Sequence, residues 1–388
     1  MLPMLSGVAG SPWIDDSRKG QKRPNGKTVL LPRMRRAPRQ ESPARHLIYT
    51  QQDTTTMTTI RTLLTMIAAS VVTPSMAADP PIKKWAPGHY IETADLSSAD
   101  LRAKGVRGVL VRYQWADLEH DGIIDLSHVR ADMAMTKAVG RSFGMILEDK
   151  RFNAPPNVRC VPDNLPDGQV VTRSNNGRYG CVSKRWIPAV SERWARFVRM
   201  VGQQLDSSDV VMVQNIESAT SAKGAVPPAD YLAHLRREAQ AWADGWPSTP
   251  WAMSLNWQVP AAAQGPLVAL ISSLGGGMAH PDSVPPTGQP NQFDPFFASW
   301  KGRIVSAPLA ENTFLDGQET LIGQRKCGGK PCTWESVAHF VVGYMGAHYA
   351  GWQRYAWGSV PFDFDRDLAP VLIAHPTVTA CPSNIRCR

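Results

Sequence analysis

The feature that most constrains how this chain can fold is an alternation that starts near residue 88 and continues to residue 374. Short, almost continuous apolar runs at 88 to 91, 106 to 112, 142 to 148, 210 to 217, 251 to 257, 275 to 280, 303 to 311 and 351 to 357 read as strands. An uninterrupted apolar run, rather than an alternating one, marks a strand covered on both faces, the condition of parallel sheets. Between and after these runs lie segments with helical spacing at 96 to 104, 126 to 139, 190 to 205, 228 to 243, 261 to 273, 293 to 300, 333 to 347 and 365 to 374. Gly105 and Gly140 act as helix stops, and Pro228 takes a first-turn position. Eight strand and helix pairs favour an α/β fold of one (β/α)8 TIM barrel over an open doubly wound sheet. No Gly-rich phosphate loop follows the first strand, which weakens a nucleotide-binding reading.

The chain has 388 residues and 43% hydrophobic content, enough for a substantial core. Its formal charge of +9 suggests a nucleic-acid partner until the charge is located. Residues 1 to 56 carry ten Lys or Arg against four Asp or Glu, so +6 of the +9 sits there and only +3 remains for the rest. That Pro- and Arg-rich segment has no periodicity and reads as a disordered leader, possible only if it is translated at all. From Met57 a short basic start, the apolar run 63 to 72 and the small residues Ser75 and Ala77 form the three regions of a secretory signal, with cleavage after Ala77 or Ala78. Met57 is therefore the expected translation start, 57 to 78 the signal peptide and 79 to 388 the barrel. A basic arm that binds nucleic acid or anionic lipid is the competing reading of the leader.

Cysteine usage agrees with export to a secreted or periplasmic location. All six cysteines lie beyond the cleavage site, and loop closure between sequence neighbours pairs Cys160 with Cys181, Cys327 with Cys332 and Cys381 with Cys387. Zinc is the competing reading of Cys327 and Cys332, but no second ligand pair with zinc spacing stands nearby. The long excursion from 151 to 188 holds the first of these pairs and reads as an elaborated strand-to-helix loop, on the side of a barrel where binding sites lie.

Two carboxylates leave barrel strands where chemistry is expected. The fourth run ends in Gln214, Asn215, Ile216 and Glu217, and the seventh ends in Glu311. In a (β/α)8 barrel the active site is built at the C-terminal strand ends, and strands four and seven face each other across the mouth. One carboxylic acid and one carboxylate about 5 to 5.5 Å apart are what retaining glycoside cleavage needs. Glu148, ending the third run, is a further carboxylate suited to substrate binding.

In these respects the chain resembles the glycoside hydrolases of clan A, whose barrels carry the acid/base on strand four and the nucleophile on strand seven. The segment Trp115, Glu119, Gly122, Ile123 and Asp125 is similar to the stretch after strand two in those enzymes. The resemblance implies that Arg112 at the end of strand two supports the nucleophile carboxylate, and that Trp357, within Tyr355-Ala356-Trp357-Gly358-Ser359, floors a sugar subsite. It implies a place near the nucleophile for His280, and sugar contacts from Asn215 and Trp257. One departure is visible: the clan has Asn immediately before the acid/base Glu, whereas here Ile216 intervenes and the Asn stands at 215. Asn215 and Glu217 share a direction only if the strand continues regularly through 217.

The expectation is a secreted or periplasmic retaining glycoside hydrolase with Glu217 as acid/base and Glu311 as nucleophile. It would act on a polysaccharide or oligosaccharide, with no metal or cofactor, no nucleic-acid partner and no membrane contact after signal cleavage. The alternative from another class is a catalytically silent barrel that binds glycan or a cell-envelope partner.

Overall fold

The computed structural model describes residues 79–388 apart from 94, 97–98, 156, 174–178, 217–225, 256–258, 282, 286–293, 311–325, 328–329, 332 and 354–363. The leader and signal peptide expected at 1 to 78 lie outside the described residues.

Eight parallel strands close into a barrel: β1 (Gly88–Glu92), β2 (Val106–Gln114), β3 (Ser142–Glu148), β4 (Val210–Asn215), β5 (Trp251–Ser254), β6 (Gly277–His280), β7 (Val305–Ala310) and β8 (Tyr349–Gln353). Each pairs with the next in sequence and β8 closes on β1, with Tyr90 between Gly351 and Gly108. The helices around it are α1 (Ser127–Ala138), α2 (Pro188–Leu205), α3 (Pro228–Gly245), α4 (Ala261–Ser273), α5 (Asp294–Ser299), α6 (Trp334–Ala338) and α7 (Ala369–Ala374). Of the helix expected over 96 to 104, the described residues form a single 3-10 turn at Ala99–Arg102. The one expected over 333 to 347 passes from α6 into a π-helical stretch at His339–Tyr344, and α7 is likewise preceded by one at Phe364–Leu368.

Apart from register irregularities at 106–108 on β2 and 210–212 on β4, side-chain direction alternates along the strands, so two apolar populations form. Tyr90, Leu110, Ile146, Met212, Ile216, Ala252, Ala279, Val305, Ala307, Leu309 and Tyr349 fill the barrel interior. Their strand neighbours, such as Ile91, Val109, Met145, Val213 and Met253, face outward and merge with the helices in one larger core. The interior is tight because small residues oppose large ones. A Cβ on Gly351 would sit 2.2 Å from Leu309 Cδ2 and 2.9 Å from Leu110 Cδ1, so these two leucines occupy the space a side chain there would need.

Helices α2 and α3 form the closest helical pair. Val190, Trp194, Phe197, Val198, Val201 and Leu205 repeat at helical spacing on α2, and Tyr231, Leu235, Ala239 and Trp242 face them from α3. The two backbones nearly touch at Gly202, where an added Cβ would lie 2.5 Å from Gly245 O.

The floor of the barrel is sealed by the start and end of the described chain. Ile82–Lys83 pairs in parallel with Arg386–Cys387, and Ile385 and Trp85 pack on the interior cluster. The disulfide of Cys381 with Cys387 fixes this plug. At the other end the excursion after β3 is a three-stranded antiparallel sheet rather than an irregular loop, with Tyr179–Ser183 between Lys150–Ala154 and Gln169–Arg173. Cys160 is bonded to Cys181 on its central strand. The third expected bridge involves Cys332, outside the described residues.

Candidate active site at the C-terminal mouth

With the floor sealed, the end left for a site is the one where the strands finish. Inward parity on each strand decides what reaches it: Glu92 on β1 follows Tyr90, Arg112 and Gln114 on β2 follow Leu110, and Glu148 on β3 follows Ile146. Gln214 on β4, Ser254 on β5 and Gln353 on β8 complete the described inward set.

Arg112 joins the first three strands. Its Nε pairs with Glu92 Oε1, and its Nη1 lies 3.3 Å from Glu148 Oε1. Gln114 Nε2 donates to Glu148 Oε2 at 2.7 Å, which fixes the orientation of that amide. The carboxylate side chains of Glu92 and Glu148 are 1% and 4% exposed, and that of Arg112 is 23% exposed. An arginine between two carboxylates leaves the described cluster with one net negative charge, a setting that favours cationic or polarised groups beside it. Glu92 was not among the residues singled out from the sequence, because the first strand was expected to end at Ile91. Its signal was present: an acid directly following an apolar run, as at Glu217. Among the described residues, no group of three or more His, Cys, Asp or Glu is placed to hold a metal ion.

Asn215 sits on the opposite parity, facing the helices. Its Nδ2 donates to Glu238 Oε1 at 2.8 Å and its Oδ1 accepts from Ser254 N at 2.7 Å, with the residue 1% exposed. Both ends of the amide are engaged in tying β4 to β5 and α3, on the side of the strand away from the mouth where the sugar contact was expected. His280 is also on outward parity, since Met278 faces the helices and Ala279 the interior. Its Nδ1 meets Ser283 Oγ at 3.3 Å, its Nε2 stands 3.7 Å from Asp294 Oδ1, and its ring meets Phe297 edge-on. These contacts place His280 against α5 rather than in the mouth. Trp115 and Glu119, part of the clan-like segment, are likewise internal: Trp115 Nε1 donates to Glu119 Oε2 at 2.6 Å, and Arg193 and Arg196 of α2 bond the other oxygen. Glu217, Glu311, Trp257 and Trp357 lie outside the described residues.

Behind β3 and β4 a buried charge network supports the mouth from outside the barrel. Arg185, with no exposed side-chain surface, holds Asp149 through Nε at 2.6 Å and Nη2 at 2.9 Å, and Glu238 through Nη1 at 2.9 Å. Its Nη2 also donates to Ile216 O at 3.2 Å, the last described atom group before Glu217. Ser183 Oγ donates to Asp149, and Trp194 Nε1 to Glu238 Oε1 at 2.7 Å. Complete burial pushes the Asp149 carboxyl up to about 6, against the opposing pull of Arg185 and Ser183. Burial alone would also raise Glu238, but the Arg185 charge and hydrogen bonds from His234 and Trp194 outweigh it and hold that carboxyl at about 2. Ser191 Oγ, His234 and Glu238 follow one another at 3.0 Å and 3.0 Å, the order of a nucleophile relay. All three are closed to solvent and Arg237 donates to Ser191 Oγ at 2.6 Å, so the chain of bonds is a brace between α2 and α3.

No family model and no curated protein matches this chain. Among solved structures it is similar to endo-glycoceramidase II from Rhodococcus sp., with 14% identity over 76% of this chain and 80% of that one at a TM-score of 0.47. It is also similar to Cel5A of Thermotoga maritima, with 10% identity over 74% and 97% of the two chains and a TM-score of 0.44. A third is the catalytic domain of the β-amylase from Paenibacillus polymyxa, with 10% identity over 71% and 92% and a TM-score of 0.42.

Proposed function

We propose that this chain is a retaining glycoside hydrolase that cleaves a polysaccharide or oligosaccharide, with Glu217 as acid/base and Glu311 as nucleophile. The observation that carries the reading is the mouth itself: a barrel sealed below, with Glu92, Arg112 and Glu148 converging from its first three strands on the end where barrel chemistry takes place. In the chain, Glu217 follows the end of β4 by two residues and Glu311 is the residue after β7. Arg112 is the positive group that would support the nucleophile carboxylate in this reading, in addition to the Glu92 and Glu148 that it already holds. Trp257 and Trp357 offer apolar ring faces to a sugar.

Glu217 donates a proton to the departing glycosidic oxygen while Glu311 attacks the anomeric carbon. Glu217 then deprotonates the water that releases the sugar from Glu311. Release of reducing ends from a panel of polysaccharides tests this. Glu217→Gln and Glu311→Gln are each expected to lose activity by more than about a hundredfold. Full activity in either variant removes that residue from the mechanism, and glycan binding without any hydrolysis by the wild type would mark a silent binding barrel.

The two described disulfides favour an oxidising compartment, in line with a secreted or periplasmic protein whose signal lies at 57 to 78. N-terminal sequencing of exported protein tests this placement, with a start at Ala78 or Asp79 as the expected result.

A further inference from the structure

Four buried or half-buried polar atoms at the mouth have no hydrogen-bond partner among the described residues: Glu92 Oε2, Gln114 Oε1, Gln214 Nε2 and Ser254 Oγ. They come from four different strands, and all four residues lie on inward parity. Glu92 is 0% exposed, and Gln214 and Ser254 are 1% exposed. A buried polar group left unpaired is costly, so four of them on inward parity call for a ligand that completes them.

Their chemistry limits what that ligand is. Glu92 Oε2 only accepts when ionised, and Gln114 Oε1 accepts because its Nε2 is committed to Glu148. Gln214 Nε2 only donates, while Ser254 Oγ does either. A ligand must therefore present at least two donors and one acceptor, as the hydroxyls of a sugar do. A ligand carboxylate is disfavoured, because Arg112 already serves Glu92 and Glu148 and the free oxygen of Glu92 would face it. We infer that Glu92, Gln114, Gln214 and Ser254 form a hydroxyl-reading floor for an uncharged or amino sugar, and that Glu92 sets specificity by excluding uronic acids. The inference rests on the glycosidase reading for its catalytic consequence, but its binding consequence stands apart from it.

The test compares wild type with Glu92→Gln, Gln214→Leu and Ser254→Ala. Neutral polysaccharides (cellulose, xylan, mannan, galactan, β-1,3-glucan) and chitosan are set against polygalacturonate and alginate, and thermal unfolding is followed for each protein. Wild type is expected to favour a neutral or amino polymer over both polyuronides by at least about tenfold in kcat/KM, and Glu92→Gln to lower kcat/KM on that polymer by about tenfold or more. Gln214→Leu and Ser254→Ala are expected to lower kcat/KM while leaving Tm unchanged or roughly 1–3 °C higher, since each removes an unsatisfied buried group. A preference for polyuronide, unchanged kinetics in all three variants, or a fall in Tm for both Gln214→Leu and Ser254→Ala overturns the inference. If wild type cleaves no polymer, the hydrolase reading fails and calorimetry with the corresponding oligosaccharides decides the floor. Binding of a neutral or amino oligosaccharide that Glu92→Gln weakens about tenfold sustains it, and absence of binding to all of them overturns it.

Discussion

Replacing Arg185 by Met is the sharpest test of how the mouth is held in place. Arg185 compensates two carboxylates, Asp149 and Glu238, both with 0% side-chain exposure, and it bonds the carbonyl of Ile216. Removing one member of a buried ion pair costs about 3–5 kcal/mol, because the partner's desolvation is no longer offset. Here two partners are stranded, which places the expected loss at the upper end, but Asp149 has an escape. Its carboxyl already stands at about 6, above its ordinary value near 3.8, because burial favours the neutral form. A carboxyl raised in the folded state contributes stability below the unfolded value and loses it as pH rises through the folded one. In the wild type this loss is complete just above pH 6. Without Arg185 the folded value moves higher still, so the variant goes on losing about 1.4 kcal/mol per pH unit where the wild type no longer does. The destabilisation should therefore be greater at pH 8 than at pH 5. Differential scanning calorimetry at both values is the assay, with a fall in Tm of roughly 6–15 °C expected at pH 8 and a smaller one at pH 5. A fall under about 2 °C at pH 8, or an equal or larger fall at pH 5, would refute the reasoning.

Gly351→Ala places a methyl where Leu309 Cδ2 would be 2.2 Å away, and should lower stability by about 1–3 kcal/mol in urea unfolding unless Leu309 changes rotamer without strain. Cys160→Ser opens the bond to Cys181 across a sequence separation of 21 and is expected to cost about 3 kcal/mol, a difference that reductant should abolish when wild type and variant are compared by thermal unfolding. Asn215→Ala removes the tie between Glu238 and Ser254 N, and a loss of about 1–3 kcal/mol in chemical denaturation is expected because it leaves a buried N–H unpaired. Should Asn215 instead contact substrate, the same variant would keep its stability and lose affinity.

The strands of this fold were legible because both of their faces are buried. A run such as 142 to 148 has no polar residue on either parity between Ser142 at its start and Glu148 at its end, and its expected bounds coincide with β3. The spacing at 96 to 104 is helical, but among the described residues there it forms one 3-10 turn before Gly105 takes a positive φ of 83° and redirects the chain into β2. The excursion after β3 hid a sheet because its strands are only five residues long and are separated by stretches rich in Pro, Asn and Gly, which leaves little periodicity to read.

The same burial that reveals a parallel strand conceals which way its last residues point. In the sequence Val210, Val211, Met212 and Val213 are all apolar, so nothing before Gln214 marks the interior face. The three-dimensional contacts break this symmetry, with Met212 and Ile216 among the interior residues and Val213 among the outer ones. Asn215 then belongs to the brace and Gln214 to the mouth, the reverse of what the amide's place beside Glu217 implied. On β6 the same ambiguity sends His280 to α5. On β1 the consequence runs the other way, since one further residue of strand brings Glu92 inward opposite Arg112. Residue type at a strand end thus identifies chemistry that is available, while parity decides whether it is delivered to the mouth or to the wall that supports it. In this chain the two are coupled at adjacent residues: Gln214 is on inward parity at the mouth, Asn215 is bonded to Glu238, and Arg185 bonds both Glu238 and the carbonyl of Ile216. A change in the buried brace therefore reaches the end of β4 through one side-chain bond and one main-chain bond.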